Sequence, residues 1–279
     1  MSFLVTGSSG FIGGALASHL EAQSLAVLRC ARNAPADSQL ADCKTVIHCA
    51  GIAHRAASEH DYKTVNYQQT LDLAERAAAA GVSRFVFVSS VNAALEHDTY
   101  GRWKRRTELA LTEAHVNSGM SVVCLRPALV YGPGAAGNLA RLIALVKKGL
   151  PTPPPGGERS MIGSQDLCRL LQRSAEAALE HGCVLVATDG ESYSLARLHA
   201  AIKRACGREP GPAWLPRRGW RLACACLDLA AGKPFSGETY RRLFTGAEYS
   251  NARTCALLSW TPRQRFEDVV REMLPETGQ

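Results

Sequence analysis

The chain has no CxxC pair, no cysteine/histidine cluster at zinc-ligand spacing and no internal repeat. Its ten cysteines stand singly, with Cys224 and Cys226 merely two apart, and several lie inside apolar runs. That pattern excludes a disulfide-stapled or zinc-ribbon protein. It fits small buried thiols in a reducing compartment, so the expectation is a cytoplasmic protein without a metal site. No apolar run approaches the roughly 18 residues that would suggest a membrane span. The N-terminus runs straight into Phe3-Leu4-Val5-Thr6, which leaves no room for a leader. The net charge of +7 is not interleaved with aromatics; its densest groups are Arg102 to Arg106 and Arg217/Arg218/Arg221. Nucleic-acid binding is therefore not expected, and anionic cofactors and substrates account for the sign equally well.

With 279 residues, 46% hydrophobic and 20% charged, the composition is that of an ordinary globular protein: one large domain, or a main domain plus a lobe. Apolar runs alternate with amphipathic stretches over the first half, the mark of a parallel sheet wrapped by helices. The spacing predicts strands at Leu4–Thr6, Leu25–Cys30, Thr45–Cys49, Arg84–Ser89 and Ser121–Leu125. Helices are predicted over Phe11–Gln23, Thr64–Ala80 and from about Tyr100 to Asn117. After residue 131 the segments shorten and Gly132-Pro133-Gly134 and Pro151 to Gly157 break the chain. We expect an α/β fold, with residues 1–131 binding a dinucleotide. Residues 132–279 are expected to form mainly a smaller C-terminal substrate lobe, interleaved with the last sheet elements.

The first predicted strand runs into Thr6-Gly7-Ser8-Ser9-Gly10-Phe11-Ile12-Gly13 and then a helix. Glycine at 7 permits a tight turn, glycine at 10 lets the backbone approach a pyrophosphate, and glycine at 13 lets helix and strand pack closely. The helix start offers free N–H groups and the positive end of a dipole. A strand–turn–helix context makes this a Rossmann-type dinucleotide site, to which Ser9, Phe11 and Ile12 contribute; a turn with glycines for packing only is the alternative. An NAD site usually has an acid at the end of the second strand. Here no acid occurs before Asp37, and Arg29 and Arg32 stand there instead. A guanidinium matches a 2′-phosphate, so NADP is expected first and NAD second, unless both arginines are merely solvated.

Tyr100 and Lys104 lie four residues apart on one helical face, shortly after a strand that ends in Ser89-Ser90. A phenol titrates near pH 10 and is a poor acid–base at neutrality; an adjacent ammonium would favour its ionised form. A serine hydroxyl beside it can hold the same substrate oxygen. On its own, a Tyr–Lys pair at this spacing is usually a surface contact; behind a glycine turn it reads as catalytic.

Together these residues resemble the extended short-chain dehydrogenase/reductases of the NAD-dependent epimerase/dehydratase family. The resemblance continues through His48-Cys49-Ala50-Gly51, Val65-Asn66 with Thr70, Gly81 to Ser90, Leu125-Arg126-Pro127, Val130-Tyr131-Gly132-Pro133-Gly134, Tyr193-Ser194-Leu195 and Leu258-Ser259-Trp260-Thr261-Pro262. It implies that Ala50, Gly51, Asn66, Ser89, Pro127 and Val130 line the cofactor, with Ser90, Tyr100 and Lys104 catalytic. Lys104 would also contact the ribose. Asn138 and Arg159 would contact the diphosphate of a nucleotide sugar, although a surface charge explains Arg159 equally well. Pairing through the Tyr–Lys helix would make a homodimer.

Two departures stand out. The stretch between Cys30 and Val46 is too short for the family's extra helix and strand, so the sheet is expected to lack one strand. Only ten residues separate Ser90 from Tyr100, where relatives have a longer loop over the substrate. The Ser-Ser-Val sequence and the Leu-Ser-Trp-Thr-Pro tail are closest to the branch acting on UDP-linked hexosamines. Two reactions at sugar C4 fit: reduction of a 4-keto sugar by NADPH, favoured by the arginines, and 4-epimerisation on bound NAD. The rival of another class is a catalytically silent nucleotide-binding sensor or assembly partner.

Overall fold

A computed structural model describes residues 2–31, 33–53, 57–95, 98–230, 232 and 237–274. In chain order the first half comprises β1 (Ser2–Thr6), α1 (Phe11–Glu21), β2 (Ala26–Cys30), α2 (Asp37–Ala41), β3 (Thr45–His48) and a single turn α3 (Glu59–Asp61). A π-helical stretch (Tyr62–Gln68) leads into α4 (Gln69–Ala79), β4 (Arg84–Val88), α5 (Asn92–Leu95), α6 (Thr99–Ala114), β5 (Ser121–Pro127) and β6 (Leu129–Tyr131). There follow α7 (Asn138–Lys147), β7 (Arg159–Gly163), α8 (Ser164–Glu176), β8 (Cys183–Ala187), β9 (Ser192–Tyr193) and α9 (Leu195–Ala205). The chain ends with α10 (Arg217–Ala230), α11 (Glu238–Phe244), α12 (Ala252–Leu258), α13 (Phe266–Val269) and a 3-10 turn (Val270–Met273).

Six strands form one sheet in the order β2-β1-β3-β4-β5-β8, parallel throughout. Both faces of such a sheet must be covered, which is why its strands are almost continuously apolar. Phe3, Val5, Ile47, Val86 and Leu125 pack under α1 and α8 with Leu16, Leu20, Leu167 and Leu171. Their neighbours in sequence, Leu4, Val46, Phe85, Phe87 and Val122, pack on the opposite side with Leu73 of α4 and Leu111 of α6. A smaller sheet, β6-β7-β9, holds a third core with α7 and α9 around Tyr131, Met161, Leu198 and Phe266. Asp189 ties it together: the hydroxyls of Tyr131 and Tyr193 both lie 2.8 Å from its Oδ2. The doubly wound α/β architecture with a smaller C-terminal lobe is therefore as the sequence predicts. Among the described residues no helix is long and apolar enough to cross a membrane, and no group of three metal-ligating side chains occurs.

Three local features differ from the expectations. The predicted helix over 64–80 opens as a π-helix, whose wide turn leaves the Asn66 carbonyl free to accept from Thr70 Oγ1 at 3.1 Å and from Thr107 Oγ1 of α6 at 3.0 Å. Helix α6 starts at Thr99 because Asp98 caps it, its Oδ1 accepting from Gly101 N at 2.6 Å. Between β2 and β3 the chain forms the short α2, whose Leu40 is buried and whose Asp37 is held by Arg76 of α4 at 2.6 Å. Beyond β2 no strand follows among the described residues, so β2 is the sheet edge, in keeping with the shortness of that stretch.

Glu108 fixes α6 onto the sheet. Its buried carboxylate takes Arg126 of β5 in a two-point contact, Nε at 2.8 Å and Nη2 at 2.5 Å. Glu108 lies one helical turn from Lys104, so the same clamp sets the height of the Tyr–Lys face. Glu108→Ala should lower unfolding free energy by about 3 kcal/mol in urea titrations, since it leaves a largely buried guanidinium without its carboxylate; a loss below 1 kcal/mol would show that the clamp is dispensable.

Candidate active site

Parallel strands send all their carboxyl ends to one edge, and the crevice opens where the connections diverge, here between β1 and β3. The glycine turn sits at that point. Gly7 has φ +65°, and a Cβ on it would lie 2.8 Å from Ala50 N. A Cβ at Gly13 would come within van der Waals overlap of the Gly7 carbonyl. Gly10 has an extended φ of −87° and would bring a Cβ only to 3.2 Å from Gly7 O. Thus Gly7 and Gly13 serve close packing, whereas Gly10 keeps open the approach to the start of α1. No side chain caps that helix start. The N–H groups of Phe11, Ile12 and Gly13 therefore remain for an anion, as a pyrophosphate requires. Ser9 is exposed on the turn.

Below the turn lies a cavity of about 250 Å³ lined by Thr6, Gly7, Cys30, Ala31, Asn33, Ala34, Pro35, His48, Ala50, Gln69, Asp72 and Leu73. Its inner wall is an ordered hydrogen-bond chain. Ala50 N donates to Thr6 Oγ1 at 3.3 Å, which lies 2.8 Å from His48 Nδ1. His48 Nε2 lies 3.0 Å from Thr70 Oγ1, which donates to Asn66 O. Burial, and then the Lys104 charge, push the His48 pKa down to about 3, so it stays neutral and the chain assigns its proton to Nε2. Sequence reasoning read Thr6, His48 and Thr70 only as parts of motifs and passed over Asp72. The place of Thr6 at the end of a parallel strand running into a glycine turn was the available signal for its role.

Arg29 does not reach this cavity. Arg29 lies on the face of β2 turned towards α1, where its Nε and Nη2 bind Glu21 at 2.7 and 2.5 Å and Nη2 also reaches Ser18 Oγ at 3.0 Å. The expectation that it binds a 2′-phosphate is corrected on that ground. Arg32 lies outside the described residues. The acidic side chain at the cavity is Asp72, on α4.

Gly51, at φ +148°, passes so close to the interior that a Cβ would lie 3.0 Å from Asn66 Oδ1 and 3.8 Å from Lys104 Nζ. Asn66 spends its amide on this segment, accepting from Ile52 N at 2.7 Å and donating to Ile52 O at 2.9 Å. It therefore holds the Ala50–Ile52 backbone that walls the cavity. Ser89 N donates to Leu125 O and Val91 N to Pro127 O, which anchors the residues after β4 on the end of β5. Ser89 Oγ is buried with no partner among the described residues, a hydroxyl left over for a bound group. Val130 lies in β6 against the first core.

Ser90, Tyr100 and Lys104 meet at the end of β4. The Ser90 hydroxyl accepts from Asn92 N at 3.2 Å and lies beside the Tyr100 phenol, whose pKa it lowers. Tyr100 packs by Ile52, Tyr62 and Trp103. Burial raises its pKa above the usual 10, and the Ser90 hydroxyl only partly offsets this. Lys104 is buried, donates to Val88 O at 2.7 Å and stands 4.5 Å from the Phe87 ring centroid. Burial pulls its pKa down to about 8, opposed by Glu108. The ammonium is 6.0 Å from the phenol ring centroid and directed at the strand carbonyl, so it does not depress the phenol pKa as the sequence suggested. The constellation is that of a protonated acid beside a hydroxyl, with a buried cation behind.

The two residues assigned to a diphosphate are separate features of the C-terminal lobe. Asn138 is exposed at the first position of α7. Arg159 is half-buried, its Nη2 donating to Leu243 O at 2.8 Å and Arg242 O at 3.1 Å at the end of α11. That contact ties Arg159 to the fold and disposes of a purely solvated charge.

The family model named NAD dependent epimerase/dehydratase family matches residues 3–186, and the chain belongs to that family. The UDP-glucose 4-epimerase of Vibrio cholerae is 29% identical over 96% of this chain and 92% of its own. Among solved structures, UDP-glucuronic acid 4-epimerase from Bacillus cereus in complex with NAD aligns with a TM-score of 0.77 at 19% identity, covering 98% of this chain and 97% of that one. A Thermus thermophilus UDP-glucose 4-epimerase complex with NAD gives 0.73 at 22% identity over the same shares. At these identities the solved structures establish the fold in common.

Two outcomes are expected from this geometry. Gly10→Val should keep its melting temperature within a few degrees yet bind NAD at least about tenfold more weakly by calorimetry, equivalent to roughly 1.4 kcal/mol. Gly13→Val should instead unfold the protein, and the reverse order would place the anion elsewhere. For Lys104, the folded pKa lies below the unfolded 10.5, so its burial opposes folding fully below pH 8 and the penalty is relieved as pH rises from about 8 to 10.5. The stability of Lys104→Met relative to the parent should therefore fall by on the order of 3 kcal/mol across that window. A pH-independent difference in chemical denaturation would contradict the burial of a charge there.

Proposed function

We propose that this protein is an NAD-dependent 4-epimerase of a UDP-linked hexose or hexosamine. The observation that carries the reading is the meeting of Ser90, Tyr100 and Lys104 beside the glycine-turn crevice. The Vibrio cholerae relative, aligned along nearly the whole chain, supports epimerisation as the reaction. The reductase reading leaned on Arg29 and Arg32 as NADP ligands; with Arg29 occupied by Glu21, NAD becomes the favoured cofactor. The uncapped start of α1, the cavity at the ends of β1 to β3 and the unpartnered Ser89 hydroxyl suit such a dinucleotide.

NAD, held by the free N–H groups at the start of α1 and the cavity at the ends of β1 to β3, would supply a reversible hydride acceptor for sugar C4. Tyr100 Oη takes the O4 proton as the C4–H bond breaks and the C4 carbonyl forms, and it gives that proton back when the carbonyl is reduced. Ser90 Oγ hydrogen-bonds the same oxygen in both directions and shields its developing charge. With its pKa raised, Tyr100 rests as the acid and needs positive charge nearby to act as the base. The positive charge of an oxidised nicotinamide would supply it, and Lys104 would add to this only on leaving the Val88 carbonyl for the phenol. Asn138 and Arg159 are assigned to the substrate diphosphate, with Arg159 presenting its remaining N–H groups.

Tyr100→Phe should bind NAD normally and lose about 10² to 10⁴ in kcat for interconversion of UDP-glucose with UDP-galactose or of their N-acetylhexosamine counterparts. Ser90→Ala should lose less. Full activity in Tyr100→Phe would end this mechanism. Mass spectrometry of the dinucleotide that co-purifies separates the alternatives. NAD supports the epimerase and NADP returns the case to a reductase. Bound NAD without turnover of any UDP- or dTDP-sugar points to a silent binding protein.

A further inference from the structure

Among the described residues, helix α10, far along the chain from Ser90, Tyr100 and Lys104, carries three exposed leucines. Its inner face is filled: Trp220, Cys224, Ala225 and Asp228 are buried, and Trp220 meets Phe244 of α11 edge-on at 6.1 Å. Its outer face carries Leu222 and Leu229 at 59 and 62% exposure, with Leu227 at 61% on the flank and Trp214 at 69% just before the helix. Leu222, the exposed Cys226 and Leu229 follow the i, i+4, i+7 spacing of a single stripe. Nothing in the core requires those leucines, and a contiguous apolar patch on a surface marks a contact.

Charge identifies the partner. Between Lys203 and Arg242 there are nine lysines and arginines against three acidic residues, so this segment carries nearly all of the net +7. Asp228 is buried on Thr239 and Glu238 pairs with Arg242 at 2.7 Å, which leaves the excess positive. Arg218 flanks the leucine stripe one turn before Leu222, and Arg221 sits by Tyr240 at 5.6 Å. A second copy of the chain would set these arginines against each other, and a nucleic acid would leave the leucines in water. An anionic bilayer accepts leucines, arginines and an interfacial tryptophan together. We propose that the outer face of α10 docks this protein on a negatively charged membrane surface, leucines in the headgroup boundary and arginines on lipid phosphates. The docking is peripheral and independent of the reaction assigned above.

Of four tryptophans, Trp103, Trp220 and Trp260 are buried, so a fluorescence change on membrane contact reports Trp214. The full chain should sediment with phosphatidylglycerol/phosphatidylcholine vesicles and shift its emission to the blue, with at least about tenfold weaker binding to phosphatidylcholine alone. Leu222→Glu/Leu229→Glu should melt and bind NAD like the parent yet lose the vesicle binding and the blue shift; Arg218→Glu should weaken the anionic binding alone. Equal sedimentation of parent and double variant, or no binding to anionic vesicles, overturns the proposal. So does a parent dimer in analytical ultracentrifugation that the double variant splits into monomers, which would make a second copy the occupant.

Discussion

Lys104 carries an ammonium into the carboxyl end of the sheet with only 4% of the residue exposed, where an uncompensated charge would cost several kcal/mol. Its surroundings are arranged around that charge. Val88 leaves a strand-end carbonyl to accept it, Phe87 presents a ring face, and Glu108 adds a negative charge one turn along. Glu108 in turn occupies Arg126, so β5 and α6 are drawn to the same point. His48 is kept neutral partly by the same cation, which allows the Thr6–His48–Thr70 chain to keep one proton order. At φ +148° a side chain on Gly51 would be strained, and its Cβ would press on the Asn66 amide at 3.0 Å. One buried cation thus links the wall of the cavity at the glycine turn to helix α6.

Strand parity decides what Arg29 can reach. Successive side chains of β2 point to opposite faces, so Cys30 lines the cavity and Arg29 must face α1. There Glu21 gives it a two-point partner. Counting arginines after the second strand cannot see this, because proximity in sequence carries no information about which face a residue takes until the strand's register is set.

The same distinction separates what could be read from the residues and what could not. Strand runs, the glycine turn and the Ser90/Tyr100/Lys104 spacing were legible because each depends on contacts within a few residues or on a fixed period. Gly7 and Gly13 have no tolerance for a side chain, so they announce themselves. The π-helix was hidden because the Asn66 carbonyl it frees is met by Thr107, forty-one residues further along the chain. Asp189 as the hub for Tyr131 and Tyr193, and Glu21 as the partner of Arg29, are likewise side-chain meetings between separate elements. The α2 helix has little periodicity of its own and is held by Arg76, which also donates to Pro35 O at 2.6 Å.

The connection between Ser90 and Tyr100 is short, and its two ends are fixed separately. Ser90 belongs to the end of β4, where Ser89 N and Val91 N bond β5. Tyr100 belongs to the start of α6, where Asp98 caps the helix and also accepts from Asn92 Nδ2 at 3.1 Å. Helix α5 lies so close to α6 that a Cβ at Gly101 would sit 2.5 Å from the Asn92 carbonyl. A longer loop would add nothing to the placing of these two side chains, since the strand end and the helix cap already determine it. For the reaction proposed above, the shortness removes cover over the substrate, so exclusion of water would fall to other segments around the crevice. The three side chains can therefore be retained in a family member while the connection between them shrinks, because the strand end and the helix start are held by different contacts.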